Sequence, residues 1–433
     1  MVLIAMSLPL LASAAAWADA RAELPPGTVG DGVHDDTAAL QAALDSGASV
    51  VELPRPPRCY LISRALVIHS EQTLLVDRNA TIRLADGAHA HMLTNASHAG
   101  GDHGITVVGG IWDGNNAHQT CEYHETGRWQ VPYDPRRYLG VLLQFNHVAD
   151  LRLAGLTLKD PEAFGIQVAN LRRFTIEDIT FDYNMLRANM DGVHLNGNCH
   201  QGRIANLKGA TNDDMVALNA DDGSMYEMSR GPITDIQVDG LWAENGYTAV
   251  RLLSAGAPVR RVRISNIYGS FRFYVVSFTH HSVHPGEATE FSEVTIDGVC
   301  CAKPLEPLAT PGPWDEEARH SFPLFYVQGQ ARVRDLALAN IQRREQLEAA
   351  PSTIHVCEGA EVECLSLRDV STVNEASTPL DLLVNEGAIG VLQLSNVLAQ
   401  AEGGAPRGHM VVNRGTIGET QTSNCASVNL AAE

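Results

Sequence analysis

One phrase recurs along most of this chain: apolar, any, apolar, any, a turn-type residue, then apolar again. It reads Leu151-Arg152-Leu153-Ala154-Gly155-Leu156, then Phe174-Thr175-Ile176-Glu177-Asp178-Ile179. Later copies begin at Ile236, Val262, Val294, Leu336, Leu365 and Leu392. Starts lie mostly roughly 23 to 32 residues apart, with wider gaps where loops are inserted. Alternation gives each copy one buried face, which a strand so short cannot cover by itself. Stacking successive copies covers it. A helical alternative fails, because few segments sustain a 3.6-residue period and glycine and asparagine interrupt too often. The pattern therefore predicts an all-β chain wound into a parallel β-helix, one solenoid domain over residues 21–433.

The segments outside the repeat have their own signatures. Val2 to Trp17 is apolar and followed by Ala18-Asp19-Ala20, which reads as a secretory signal over residues 1–20, although its start lacks Lys and Arg. The run is short for a bilayer span, so the expected location is secreted or periplasmic. Asp36, followed by Thr37-Ala38-Ala39-Leu40-Gln41-Ala42-Ala43-Leu44, reads as an aspartate N-cap and a short amphipathic helix that would plug the open end of the solenoid. Two insertions interrupt the rhythm near 115–138 and 304–322. The first carries Tyr123, Trp129, Tyr133 and Tyr138, the second Trp314. Loops of that length are usually functional or disordered.

Composition narrows the partners. A net charge of -20 argues against nucleic acid and anionic membranes. The eight cysteines could pair in an oxidising compartment; Cys357 and Cys364 could close a short loop, whereas neighbouring Cys300 and Cys301 are poorly placed to bond each other. No Cys-x-x-Cys or Cys/His pair has zinc spacing; His280 and His284 have a metal-like spacing but read as a plain exposed histidine loop, and no metal or cofactor is expected.

Function concentrates between Asn189 and Gly223. Val193-His194-Leu195-Asn196 and Val216-Ala217-Leu218-Asn219 align with each other, offset by about one coil. Ile166-Gln167-Val168, Val250-Arg251-Leu252 and Val276-Ser277-Phe278 extend the series. Two positions before each copy stand Phe164, Asp191, Asp214, Thr248 and Tyr274, so only the central two coils place carboxylates there. Asp213 adds a third. The outward middle positions, Gln167, His194, Ala217, Arg251 and Ser277, bring His194 and Arg251 to the flanks of the acidic patch. Asn196 and Asn219 read as turn asparagines, and Asp221-Asp222-Gly223 as a turn. The trio is different. Coils stack about 4.8 Å apart, so clustering three carboxylates costs like-charge repulsion and raises at least one pKa, as a general acid beside a general base requires.

These residues resemble glycoside hydrolase family 28, the polygalacturonase family of the pectin-lyase-like right-handed β-helices. The resemblance runs from Gly30-Asp31-Gly32-Val33-His34-Asp35-Asp36-Thr37 through Leu158-Lys159-Asp160-Pro161-Glu162-Ala163-Phe164 to Asn189-Met190-Asp191-Gly192 and Asn212-Asp213-Asp214. It implies that Asp213 protonates the leaving oxygen while Asp191 and Asp214 activate water, with inversion. Asn189, His194, Arg251, His281 and Trp129 are the expected substrate-binding residues, on a polysaccharide or oligosaccharide and in a monomer. The family's Gly-His-Gly and Arg-Ile-Lys motifs have no counterpart at Gly246-Tyr247-Thr248 or Tyr274 to Thr279. Those bases engage a galacturonate carboxylate; Arg251, His280 and His281 stand nearby in their place. Two other functions fit the same fold. One is a calcium-dependent lyase with Asp191, Asp213, Asp214, Asp221 and Asp222 around the ion and Arg251 as base. The other is a non-catalytic carbohydrate binder.

Overall fold

The computed structural model describes residues 25–120, 140–222, 230–281, 283–284, 287–308 and 318–429. The expected leader, Trp129 and its aromatic neighbours, and Trp314 lie outside the described residues. The recurring phrase forms long parallel strands, among them Arg172–Asp182, Cys199–Lys208, Ile233–Gly246, Val259–Phe271 and Phe291–Ala302. Their first apolar positions stand in one column: Phe174, Gly202, Ile236, Val262, Val294, Leu336, Leu365 and Leu392. The chain is a right-handed parallel β-helix.

The turn-type position has a definite conformation. Gly155, Asp178, Asn206, Gly240, Asn266, Gly298, Asn340, Asp369 and Asn396 all have positive φ, between 53° and 78°. Each bends an otherwise extended strand, so the chain turns the corner of the coil while its ladder of backbone bonds continues. Gly, Asn and Asp are the residues that tolerate this left-handed region best. Asparagines at the corner also join coils: Asn206 Nδ2 donates to Asp178 Oδ1 (3.0 Å) and Asn396 Nδ2 to Asp369 Oδ1 (2.9 Å).

A second sheet carries the site. Its twelve described strands are short and all parallel, stacked in the order of the chain from Leu66–Ile68 to Val411–Asn413. One cluster of buried apolar side chains fills the interior from Leu40 to Val397. The helix Thr37–Leu44 closes the N-terminal end with Leu40 and Leu44, 1% and 2% exposed. Asp36 is its N-cap residue, but its carboxylate does not cap the helix. It turns back to accept from the backbone N–H groups of Val29 (2.7 Å) and Gly30 (3.1 Å), leaving Asp35 to accept from Thr37 N at 3.0 Å. The seven described cysteines are free thiols, so no bridge closes the Cys357 to Cys364 loop. Those two diverge: Cys364 stacks between Asp335 and Val391 in the long-strand sheet, while Cys357 lies against Tyr326. No described helix is long and apolar enough to cross a membrane.

Asn340 tests the corner. It is exposed, has φ of 54° and donates to Asp297 Oδ1 at 2.7 Å. Asn340→Val forces a β-branched residue into the left-handed region and is expected to cost about 1–3 kcal/mol, plus the lost bond. Asn340→Gly keeps the conformation and should stay within about 1 kcal/mol of the parent. Urea unfolding midpoints of the two variants check this, and equal losses would contradict it.

Candidate active site

The short strands meet in the register that their sequences predict. Val193 pairs with Val216, Val216 with Val250 and Val250 with Val276, so Gln167, His194, Ala217, Arg251 and Ser277 form one outward column. Asp191 and Asp214 each precede their strand motif by two residues. The Gly192 N–H donates to the Asp214 carbonyl (2.9 Å) and Asp214 pairs in turn with Thr248. Asp213 and Asp214 line a cleft of about 420 Å³, with Asn189, Thr248 and Arg251 around them. Asn189, at φ 57°, donates its side-chain amide to Asp213 Oδ2 at 2.8 Å. Asp213 is half-buried, whereas Asp191 and Asp214 are only 2% and 3% exposed.

Burial raises all three carboxyl pKa values above the usual aspartate range. The Asp213 charge raises Asp191 and Asp214 further, while Arg251 pulls the other way on each member. Three coupled carboxyls in one small volume cannot all ionise together, so protons leave the trio as a unit. Arg251 reaches Asp214 Oδ2 at 3.7 Å, and its Nε donates to Thr279 Oγ1 at 2.8 Å. Burial opposes the Arg251 charge, but Asp214, Asp213 and Asp222 outweigh it and keep the guanidinium charged.

His194 is buried within that column. Its Nδ1 lies 2.6 Å from Asp191 Oδ2, and its ring stacks on Phe164 with centroids 4.2 Å apart. A row of buried amides reaches its other nitrogen: Gln144 Nε2 donates to Gln167 Oε1 (2.9 Å), and Gln167 Nε2 to Asn196 Oδ1 (2.9 Å). Asn196 then has only its NH₂ to present to His194 Nε2, at 3.4 Å. Nε2 must accept, so Nδ1 carries the proton and donates to Asp191, leaving the second Asp191 oxygen to gain or lose a proton. Burial pushes the His194 pKa down to about 4. Both ring nitrogens of His194 are engaged here, Nδ1 by Asp191 and Nε2 by the amides of Asn196 and Asn219.

The remaining candidates separate. His281 Nε2 lies 3.8 Å from Asp222 Oδ1 at the cleft. Burial, then the Arg251 charge, lowers the His281 pKa to about 4; with 46% of the side chain exposed, water offsets part of the burial contribution. Both His280 ring nitrogens face backbone carbonyls, of His281 and Gly329, at 2.6 Å each. The Asp221-Asp222 segment is more than a turn: buried Asp221 contacts His284 at 3.2 Å, and buried Asp222 accepts from Asn219 at 3.4 Å. No group of three or more side chains suited to a metal occurs among the described residues.

Residues 86–241 match the family model for glycosyl hydrolases family 28. The resemblance is to glycoside hydrolase family 28. The matched segment contains the aspartate trio and stops before Arg251. The family 28 exopolygalacturonase of Yersinia enterocolitica is similar in fold, at 14% identity and TM-score 0.53, over 94% of this chain and 76% of that one. The A-module of mannuronan C-5 epimerase AlgE4 from Azotobacter vinelandii has TM-score 0.56 at 13% identity, over 92% and 98%. A tailspike of E. coli bacteriophage HK620, solved with a pentasaccharide, has TM-score 0.55 at 13% identity, over 86% and 68%. Likeness at such identities concerns the fold. The sequence matches no curated protein.

Beyond the family 28 segment the cleft is aromatic, which the sequence analysis missed. Tyr247 stacks on Phe273 at 3.8 Å and Phe273 on Phe322 at 4.5 Å; Tyr274 stacks on Tyr326 at 4.8 Å. The signal was present one register position away. Three residues before each apolar strand start stand Met190, Asp213, Tyr247, Phe273 and Phe322, so the Asp213 column continues as a stack of rings.

The amide row makes a spectroscopic prediction. Nitrogen-detected imidazole spectra should show His194 neutral and protonated on Nδ1 at pH 6, titrating near 4 rather than at the ordinary 6.5. Between those values the unfolded chain binds the extra proton, so His194 contributes a loss of stability as pH falls from 6.5 to 4. A midpoint near 6.5 would show a solvated ring and contradict the row.

Proposed function

We propose that the chain is a polysaccharide-degrading glycoside hydrolase working by acid–base catalysis at Asp191, Asp213 and Asp214. One observation carries this reading: three carboxyls from adjacent coils share one field at a cleft, with pKa values raised by burial and, for Asp191 and Asp214, by the Asp213 charge as well. The family 28 match over residues 86–241 supports it. The leader-like first twenty residues are consistent with work outside the cytoplasm.

Asp213, half-buried at the cleft and held by Asn189, gives its proton to the glycosidic oxygen as the bond to the anomeric carbon breaks. Asp191 and Asp214 accept the proton of a water that attacks that carbon from the opposite face, inverting its configuration. The proton lost by one carboxyl is gained by another, so the trio ends with its proton count unchanged and only an exchange within it is needed. His194 is a positioning residue, whose Nδ1–H holds one Asp191 oxygen and leaves the other for water. Arg251 limits the cost of charge on Asp214.

Secreted or recombinant protein should release reducing ends from at least one member of a polysaccharide panel. Asp213→Asn is expected to lower kcat by about 10²- to 10⁴-fold on that polymer, and far less on an aryl glycoside whose leaving group needs little protonation. Asp191→Asn and Asp214→Asn should fail on both substrates. The pH–rate profile should be bell-shaped, with its alkaline limb above the ordinary 3.8 because burial raises the carboxyls. Near-parental turnover in all three single variants would remove the hydrolase reading.

A further inference from the structure

Asp213 and Asp214 are adjacent in the chain but are held by different means. Asp214 opens the strand Asp214–Asp221 and is fixed by its ladder to Thr248. Asp213 ends the short connection 209–213 and stands outside that strand. Side chains fix it instead. Thr211 Oγ1 donates to the Asp213 carbonyl (2.7 Å), and Asn189 Nδ2 to its carboxylate. Asn212, 4% exposed, donates Nδ2 to the Arg187 carbonyl at 2.7 Å and turns its Oδ1 to Arg272 at 3.0 Å. A carbonyl only accepts and a guanidinium only donates, so this amide has a single orientation.

Arg272 comes from two coils further on. Its backbone N–H donates to the Gly246 carbonyl (2.7 Å) in the coil between. The side chain therefore runs back across that coil, over roughly 10 Å of strand stacking, to meet Asn212. On the way Nη1 donates to the Asn245 carbonyl, and the guanidinium carbon lies 5.6 Å from the Tyr247 ring centre. The far end is anchored too: buried Lys303 donates its ammonium to the carbonyls of Arg272 (3.0 Å) and Phe273. Arg272 is 1% exposed. Burying a guanidinium is costly, and an apolar side chain of similar volume would fill the space with a smaller penalty. An apolar side chain could not, however, join the Asn212 turn to Asn245 and Tyr247.

We infer that Arg272 is a positioning residue for the proposed proton donor: acting through Asn212, it sets where the Asp213 carboxyl stands in the cleft. This rests on the hydrolase reading. Displacing a reacting group by about 1 Å can cost up to roughly 10²-fold in rate, so a link of this kind has a measurable kinetic effect.

Two variants test the link. Arg272→Lys keeps the charge but lacks the planar fork that meets Asn212 and Asn245 together. Asn212→Ala removes the link itself. Both single variants and the double variant are assayed on the polymer that the parent cleaves and on an aryl glycoside with a good leaving group, with thermal unfolding followed alongside. Each single variant should lower kcat on the polymer about tenfold or more, with KM within about twofold. The loss on the aryl glycoside should be far smaller, because only the polymer's leaving oxygen needs the Asp213 proton. The double variant should fall no further than the worse single one, since both changes break the same link. Equal losses on the two substrates would make Arg272 a packing residue and overturn the inference. Near-parental kcat on the polymer, or losses that multiply in the double variant, would overturn it as well. If Arg272→Lys does not fold, Asn212→Ala decides by the same comparison of substrates. A parent that cleaves no polymer removes the hydrolase reading and this inference with it; a cleaving parent with unselective variants removes the inference alone.

Discussion

Every feature of this molecule depends on one backbone constraint, a left-handed residue at the same corner of successive coils. Without it a long strand would run straight past the core. With it each strand bends at a fixed point, and the next coil can lie on it residue for residue. Gly155, Asp178, Asn206 and their successors carry that conformation at φ values within a narrow range. The cost of the conformation is small for Gly, Asn and Asp, and the side-chain amides recover part of it by bonding from coil to coil. Fixed register then does the rest. Position along a strand becomes position on a surface, and residues far apart in sequence become neighbours about one strand spacing apart.

That conversion explains both the danger and the use of the acidic patch. Asp191 and Asp214 are neighbours because their strands stack, and Asp213 joins them because it precedes Asp214. Such a cluster would be repelled apart on a flexible loop. Here the ladders on both sides hold it, and burial sets its proton affinity. The same stacking sorts the cleft along the axis: carboxylates on the coils of Asp191 and Asp214, a guanidinium together with the Tyr247 ring on the next, further rings on the two after that. Chemical character on a solenoid is therefore laid out along its axis rather than around a pocket.

How much of this was legible in the sequence follows from the same logic. The corner phrase identified the fold because a left-handed residue restricts composition, and composition can be read. The strand register, from Ile166 to Val276, was legible because apolar starts mark it. What was missed lay outside the column that was followed. Reading two positions before each start found Asp191 and Asp214; reading three would have found Tyr247, Phe273 and Phe322 in line with Asp213. The pairing of His194 with Asp191 was not legible, since an outward strand position says nothing of a partner supplied by its own coil. The Asp36 carboxylate was misassigned for a related reason: local sequence favours a helix cap, but Val29 and Gly30 offered it unpaired amide groups. The free thiols of Cys357 and Cys364 follow from strand stacking that separates their directions, which sequence distance does not reveal.

The amide row from Gln144 to His194 has a consequence of its own. Each amide is a dipole that donates at one end and accepts at the other, and in this row all point the same way. Such a line has only two orientations, because turning one member leaves two acceptors or two donors face to face. Its direction is thus a collective property, like the alignment of a short chain of magnets, shared by coils that lie away from the carboxylates. The tautomer of one imidazole is set at Nε2 by Asn196 and Asn219, and through Asn196 it is tied to residues it does not touch.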